Sequence, residues 1–259
     1  MLVAVLLAFV VAVLAPWIVG WAGDRSGWVL GLVPAGLTIY FATHLPAVAG
    51  GETWREAAAW VPALGIELAV WVDGLSMAFA LVIGAVATLV VVYATGYLAG
   101  NRQLPRFFAY LLGFMAAMLG VVLSDNLFAV YVFWELTSLS SFLLIGYYHE
   151  KPEARSSAHQ GLMVTVGGSL AMFAGLILLG MIAGEAGLER IYSLSALLEL
   201  AAERPEAITG HRLYAPTVVL VLLGCFTKSA QVPFHFWLPN AMVGPAPVSA
   251  FLHSAAMVK

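Results

Sequence analysis

Glu135 and Lys228 are the residues whose positions most need a chemical explanation. Glu135 sits in Phe133-Trp134-Glu135-Leu136-Thr137-Ser138, and Lys228 in Cys225-Phe226-Thr227-Lys228-Ser229-Ala230-Gln231-Val232-Pro233, both inside long apolar stretches. If the first stretch is a membrane helix, Glu135 lies roughly 13 Å deep at the 1.5 Å rise of an α-helix. An ionised carboxylate there costs about 3 kcal/mol or more unless it is paired, solvated or protonated. It is either a neutral acid bonded to a neighbouring helix or a proton or ion site. Intramembrane acids are seldom retained for packing alone, which favours the second reading. Thr137 and Ser138 are placed to bond its oxygens. Lys228 is too deep to reach the interface by extending its chain. A desolvated lysine beside an acid is switchable: paired it stays charged, and unpaired it can release a proton. The expected arrangement is therefore an approach of Glu135 and Lys228 between helices, directly or through a water. The structural alternative is a static salt bridge.

Pro233 lacks a backbone donor and its ring would clash with the Ser229 carbonyl, so the helix carrying Lys228 should kink or unwind there. Broken membrane helices line protein-buried or watery cavities. His253 and Lys259 follow on the next apolar run, and His235 lies just past the break. An imidazole between two lysines can accept and donate protons near neutral pH, so His253 and Lys259 extend a candidate relay. His235 is a weaker candidate, and Cys225 reads as core.

The elements that must carry these groups are membrane helices. Of 259 residues, 62% are hydrophobic and 10% charged, against about 25% charged in ordinary soluble domains. Mean hydropathy is +0.96. Apolar runs cover residues 2–22, 28–49, 75–98, 107–123, 127–148, 161–183 and 214–238, and an eighth begins near 248. Each approaches the roughly 20 residues that a bilayer core requires. Their continuity predicts an all-α polytopic membrane protein and argues against a β-barrel of short alternating strands. The first run lacks a basic leader and cleavage site, so a retained helix is expected. The last run stops within an apolar segment, which reads as a fragment of a longer protein.

Arg25, then Arg102 and Arg106, then Lys151 and Arg155 fall in short loops on one side of an alternating bundle. Short basic loops stay cytoplasmic, which puts the N-terminus outside the cell membrane. The opposite side carries two longer, mixed-charge loops. Within the first, 60–72 alternates loosely around Gly65, a candidate extracellular hairpin. Within the second, 193–202 reads as a surface helix capped by Ser193. Gly161, Gly167, Gly168 and Ser169 on the sixth helix read as small residues for close packing, without a chemical role.

Several other chemistries find no support. The net charge of −3 gives no basic footprint for nucleic acid. One cysteine excludes an internal disulfide framework or a cysteine-built zinc site. No phosphate-binding loop, CxxC or nucleophile motif is present, so neither cofactor nor metal is expected.

Five stretches carry a family resemblance: FWELTSLSSFLLIGY at 133–147, FTKSAQVPF at 226–234 with WLP at 237–239, PVSAFLHSAAMVK at 247–259, MLGVVLSDN at 118–126 and WVDGLS at 71–76. Together they resemble the large A subunit of Mrp-type multisubunit cation/proton antiporters, which is similar to the antiporter-like membrane subunits of respiratory complex I. The resemblance covers nearly the whole chain. It implies an antiporter-like helix bundle whose seventh helix is broken. It also implies that Glu135 and Lys228 form the charge pair of a proton half-channel, continued by His253 and Lys259, with His235, Ser138 and Thr137 as a secondary path. Residues 1–101 would hold the first three helices, and 102–259 part of the first of two inverted five-helix repeats within a fold of roughly fourteen core helices. Partners would be other membrane subunits of a hetero-oligomeric complex, with protons and a monovalent cation as cargo. One departure is Asn240, where the family usually has Asp after WLP. The expected role is that of a secondary-transport component, not an enzyme. The runner-up is the proton-pumping membrane subunit of an NADH:quinone oxidoreductase-like complex. A membrane scaffold with static salt bridges is the reading without transport.

Overall fold

The computed structural model describes residues 1–62 and 66–257. Among the described residues, six helices are long and apolar enough to cross a membrane: α1 (Leu2–Ala22), α2 (Ser26–Ala49), α3 (Gly74–Tyr97), α4 (Leu104–Leu123), α5 (Leu127–Ile145) and α6 (Pro152–Glu185). A two-stranded sheet, β1 (Trp54–Val61) and β2 (Ile66–Val72), stands between α2 and α3. Short helices α7 (Leu194–Glu203) and α8 (Pro205–Thr209) precede α9 (Tyr214–Lys228). Two further short helices, α10 (Trp237–Asn240) and α11 (Ala246–Phe251), lead into a π-helical stretch from Leu252 to Met257.

The bundle is organised around α4, the most buried of the six long helices. Helix α1 lays Val5, Ala8, Ala12, Ala15 and Val19 inward, and α1 and α4 are neighbours. That three-to-four-residue spacing makes one narrow face of small side chains. The outward face of α1 carries Val3, Leu6, Val10, Val13 and Trp17, all exposed, as a lipid-facing helix requires. Helices α6 and α9 form the closest pair. A Cβ at Gly168 would collide with the Thr227 side chain, and one at Gly224 with Met172. Close backbone approach, achieved with small residues, replaces the hydrophobic drive that lipid removes. Gly167 contributes nothing to that contact, since a side chain there would meet open space.

Several boundaries depart from the hydropathy reading. Helix α6 runs past the apolar 161–183 at both ends, because Pro152 at its first position and Glu153 in its first turn favour a helix start. The seventh run does not form one helix over 214–238: α9 ends at Lys228, and helical turns resume only at 234. Pro233 lies in the stretch between them. Ala230 takes a left-handed backbone, φ 53°. The freed helix end is recapped: the Gln231 amide donates to the Phe226 carbonyl at 2.9 Å, and the buried Trp237 indole donates to the Thr227 carbonyl at 2.9 Å. The strand pairing begins at Trp54, opposite Val72, well before 60. Gly65, the expected turn residue, lies outside the described residues. Ser193 caps α7, its hydroxyl accepting from the Ala196 amide.

Candidate functional site: a lysine between two cavities

Helices α5, α6 and α9 bring together the polar groups that the sequence leaves scattered. Lys228, at the C-terminal end of α9, donates from Nζ to Thr137 Oγ1 and to Ser138 Oγ, both at 2.7 Å. The two hydroxyls in turn donate to the Trp134 carbonyl, at 2.7 and 3.4 Å. Each hydroxyl therefore spends its hydrogen on the backbone and turns a lone pair to the ammonium. The Trp134 ring adds its face, with its centroid 5.5 Å from Nζ, a cation–π contact. The helix end itself favours a cation, because the last carbonyls of α9 carry partial negative charge.

Glu135 is held from a third helix. Its Oε1 accepts from the Ser169 hydroxyl on α6. Among the described residues, the ion pairs within 4.0 Å do not include Glu135 and Lys228. Thr137 and Ser138 accept from the lysine and donate to the Trp134 carbonyl, which leaves neither hydroxyl hydrogen for the carboxylate. Ser169, read from the sequence as packing material only, is the contact to Glu135 that reading missed. The available signal was a hydroxyl inside an apolar run, beside the glycines of α6.

Two cavities meet at Lys228. The larger, about 390 Å³, is lined by Trp71, Asp73, Ser124, Trp134, Thr137, Cys225 and Lys228, among others. The smaller, about 20 Å³, is lined by Thr137, Ser141, Thr165, Lys228, Trp237 and His253, among others. That is room for a single water. Lys228 and Thr137 line both, so they form the partition. His253 is thereby placed one small pocket away from Lys228. His235 is not brought to the site: it is exposed, in the helical turn 234–236 beyond the break. Lys259 lies outside the described residues. Asn240, the departure from the family pattern, donates to Gln160 Oε1 at 2.5 Å and ties α10 to α6. No cluster of His, Cys, Asp and Glu suited to a metal ion occurs among the described residues.

A second polar cluster stands outside the membrane helices, at the end of the bundle that carries the strands. Asp125, fully buried in the turn between α4 and α5, accepts from Arg55 Nε at 2.5 Å, Ser193 Oγ at 2.9 Å and the Ser195 amide at 2.7 Å. Arg55 on β1 also pairs with Glu67 on β2 at 2.6 Å. Burial alone would push the Asp125 carboxyl up, but Arg55 and the serine donors hold it below its ordinary value. Burial would lower the Arg55 guanidinium, and its bonds to Asp125 and Glu67 raise it instead. The Asp125 amide donates to the Ala69 carbonyl at 2.9 Å, and the Leu194 amide to the Asp125 carbonyl at 2.6 Å. One residue thus fastens the strands, the α4–α5 turn and α7 together.

The chain is a multi-pass helical bundle with a hydroxyl-bound lysine at the end of α9. The family model described as NADH:quinone oxidoreductase/Mrp antiporter, TM, matches residues 124–259. A second, described as NADH-Ubiquinone oxidoreductase (complex I), chain 5 N-terminus, matches 60–108. The chain belongs to the NADH:quinone oxidoreductase/Mrp antiporter transmembrane family. It is 45% identical over 253 residues to the A subunit of the Na(+)/H(+) antiporter of Alkalihalophilus pseudofirmus, covering 97% of this chain and 30% of that protein. It is 48% identical over 241 residues to the A/B subunit of the probable K(+)/H(+) antiporter of Rhizobium meliloti, covering 93% and 22%. Among solved structures, the Mrp complex from Dietzia sp. DQ12-45-1b matches with TM-score 0.85 and 33% identity, over 99% of this chain and 26% of the matched chain. The chain thus spans under a third of the length of these relatives.

Proposed function

We propose that this chain supplies a proton-translocating half-site to a multisubunit monovalent cation (Na+)/proton antiporter, with Glu135, Lys228, His253 and Lys259 as its relay. The observation that carries the proposal is the Lys228 ammonium, held by Thr137 and Ser138 on the partition between two cavities. A group so placed can exchange a proton with either side. Glu135, a few positions before the two hydroxyls on the same helix, biases its charge without a direct ion pair. The small pocket leads on to His253, and Lys259 follows on the same segment. Thr137 and Ser138 join the path as hydrogen-bonding groups, and His235 stands as an outlying member. The relatives named as antiporter subunits support a cation/proton exchange, and those names cover both Na(+) and K(+). Other membrane subunits of the complex would be the partners. The proposed orientation is N-terminus outside the cell membrane, with the broken helix opening toward a cavity and the strand pair extracellular. Residues 1–101 would brace the repeat unit that begins at 102.

The test uses the full-length protein in its assembled complex. Glu135→Ala and Lys228→Ala should each abolish most sodium-driven dissipation of a pH gradient in vesicles, with complex assembly intact. Lys259→Ala should be similarly damaging. His253→Ala should be milder, because water can bridge its pocket, and Glu135→Asp should keep partial activity. Normal exchange by an assembled Glu135→Ala complex would return this helix to the static-scaffold reading. The complex I description of the family model keeps a second reading in view, a redox-driven proton pump. Copurification of flavin and iron–sulfur subunits, in place of small antiporter subunits, would favour it.

A further inference from the structure

A pocket of about 210 Å³ lies where the first two turns of α4 and α6 meet the last turn of α5, at the end of the bundle that carries the short basic loops. Arg106 of α4 and Arg155 of α6 line it, together with His149 and His159. Among the described residues, neither arginine has a carboxylate within 4.0 Å. Arg106 donates from Nη2 to Gln103 Oε1 at 2.6 Å and to the Tyr147 carbonyl at 3.1 Å. Arg155 donates from Nη1 to the His149 and Glu150 carbonyls at 2.7 and 3.2 Å. The Arg106 Nε is buried, with no hydrogen-bond partner among the described residues. Glu150 and Glu153 are exposed and line no part of the pocket.

Two guanidinium groups without a counter-charge converge here, and one keeps a buried donor idle. Both stand in the first turn of their helices, where the dipole disfavours a cation and favours an anion. An anion shared by the two arginines would answer each of these costs, and phosphate oxygens match the guanidinium fork. The pocket also has an apolar part, Phe142 and Leu143. Leu139, one turn deeper than Leu143 on α5, and Met163, one turn deeper than His159 on α6, are exposed. Residues four apart share a helix face, so both continue the pocket toward the middle of the bilayer. The Arg106 guanidinium lies 5.8 and 5.6 Å from the Tyr110 and Tyr147 ring centroids, and tyrosines of this kind collect at headgroup level. A free phosphate would leave the apolar stripe unused, whereas a phospholipid uses both parts. We infer that this pocket binds the phosphodiester of an anionic phospholipid, with Arg106 and Arg155 as its ligands and an acyl chain along Leu143, Leu139 and Met163. Basic pockets between membrane helices suit such headgroups. The binding does not depend on the proton role of Lys228.

The assembled complex in nanodiscs would be photolabelled with phosphatidylglycerol carrying an acyl-chain diazirine, and in parallel with phosphatidylcholine of the same chains. Labelled peptides would be mapped by mass spectrometry. Peptides spanning 139–163 should take severalfold more label from phosphatidylglycerol, and excess inorganic phosphate at matched ionic strength should leave that ratio unchanged. Arg155→Glu, at an exposed position, should bring the ratio close to one, as should Arg106→Gln combined with Arg155→Gln. The single variant carries the test if Arg106 proves necessary for assembly. Equal labelling by the two lipids in the unmodified complex would reduce the contact to ordinary bilayer lipid and overturn the proposal. Loss of the excess on adding phosphate would make the ligand a free anion, which also overturns it. So would unlabelled 139–163 peptides beside labelled ones from other membrane helices, or an unchanged ratio in Arg155→Glu.

Discussion

At the scale of single residues, the site separates two jobs that the sequence suggested were one. Glu135 is held by Ser169 on α6, and Lys228 by Thr137 and Ser138 on α5. An ammonium removed from bulk water needs compensating acceptors, and hydrogen bonds to a charged group contribute about 1.5–3 kcal/mol each. Removing both hydroxyls, as Thr137→Val with Ser138→Ala, should therefore lower exchange about tenfold or more, since about 1.4 kcal/mol is one decade. The fold should tolerate it, because valine matches the shape of threonine and alanine nearly matches serine. Vesicle exchange measured at equal complex content checks this, and full exchange in the double variant would refute the role given to the hydroxyls. Ser169→Ala should reduce exchange, while Ser169→Thr, which restores the hydroxyl, should recover part of it if the added methyl fits against α9. Equal loss in both variants would mean that Ser169 acts by packing alone.

At the scale of elements, the Asp125 cluster decides how the strands, the α4–α5 turn and α7 sit together. Its carboxylate is fully buried, and breaking a buried pair from one side typically costs about 3–5 kcal/mol. Arg55 is partly exposed and keeps Glu67 as a second partner, so the loss should fall at or below the lower end of that range. Asp125→Asn should speed amide hydrogen exchange across Trp54–Val61, Ile66–Val72 and Leu194–Glu203, measured by mass spectrometry. Unchanged protection in all three would show that the cluster does not fasten them. The sign of the pH dependence follows from the lowered carboxyl. Its contribution is complete above the ordinary aspartate value of about 4 and is lost as pH falls through the lowered folded-state value. The strand-bearing cap should thus loosen in acid below the usual carboxylate range and stay constant near neutrality.

At the scale of the whole molecule, charge sets orientation. Lys151 and Arg155 stand at the α5–α6 connection, and Arg102 and Arg106 at the α3–α4 connection, the same end of an alternating bundle. The proposed orientation, by the positive-inside rule, has that end cytoplasmic. A cysteine introduced by Lys151→Cys should resist an impermeant thiol reagent applied to intact cells and react after permeabilisation. Labelling in intact cells would invert the orientation.

The sequence by itself determined the solvent and the rarities. Continuous apolar runs, a tenth of residues charged and only Glu135, Lys228 and Lys259 as acid or lysine inside the runs leave a helical membrane bundle, because lipid satisfies no backbone group. The cap at Ser193 was legible too, since it follows from local chemistry. The partners were not. Whether Thr137 and Ser138 face Glu135 or Lys228 depends on how α5 is rotated against α6 and α9. That rotation is fixed by contacts such as Phe128 and Tyr131 of α5 against Phe173 of α6, which lie far apart along the chain. The extent of the strand pair was likewise hidden, because Arg55 joins β1 to Asp125 across 70 positions. Residue type and spacing reveal which groups are costly to bury, and only the packing of one helix on another decides which group meets that cost.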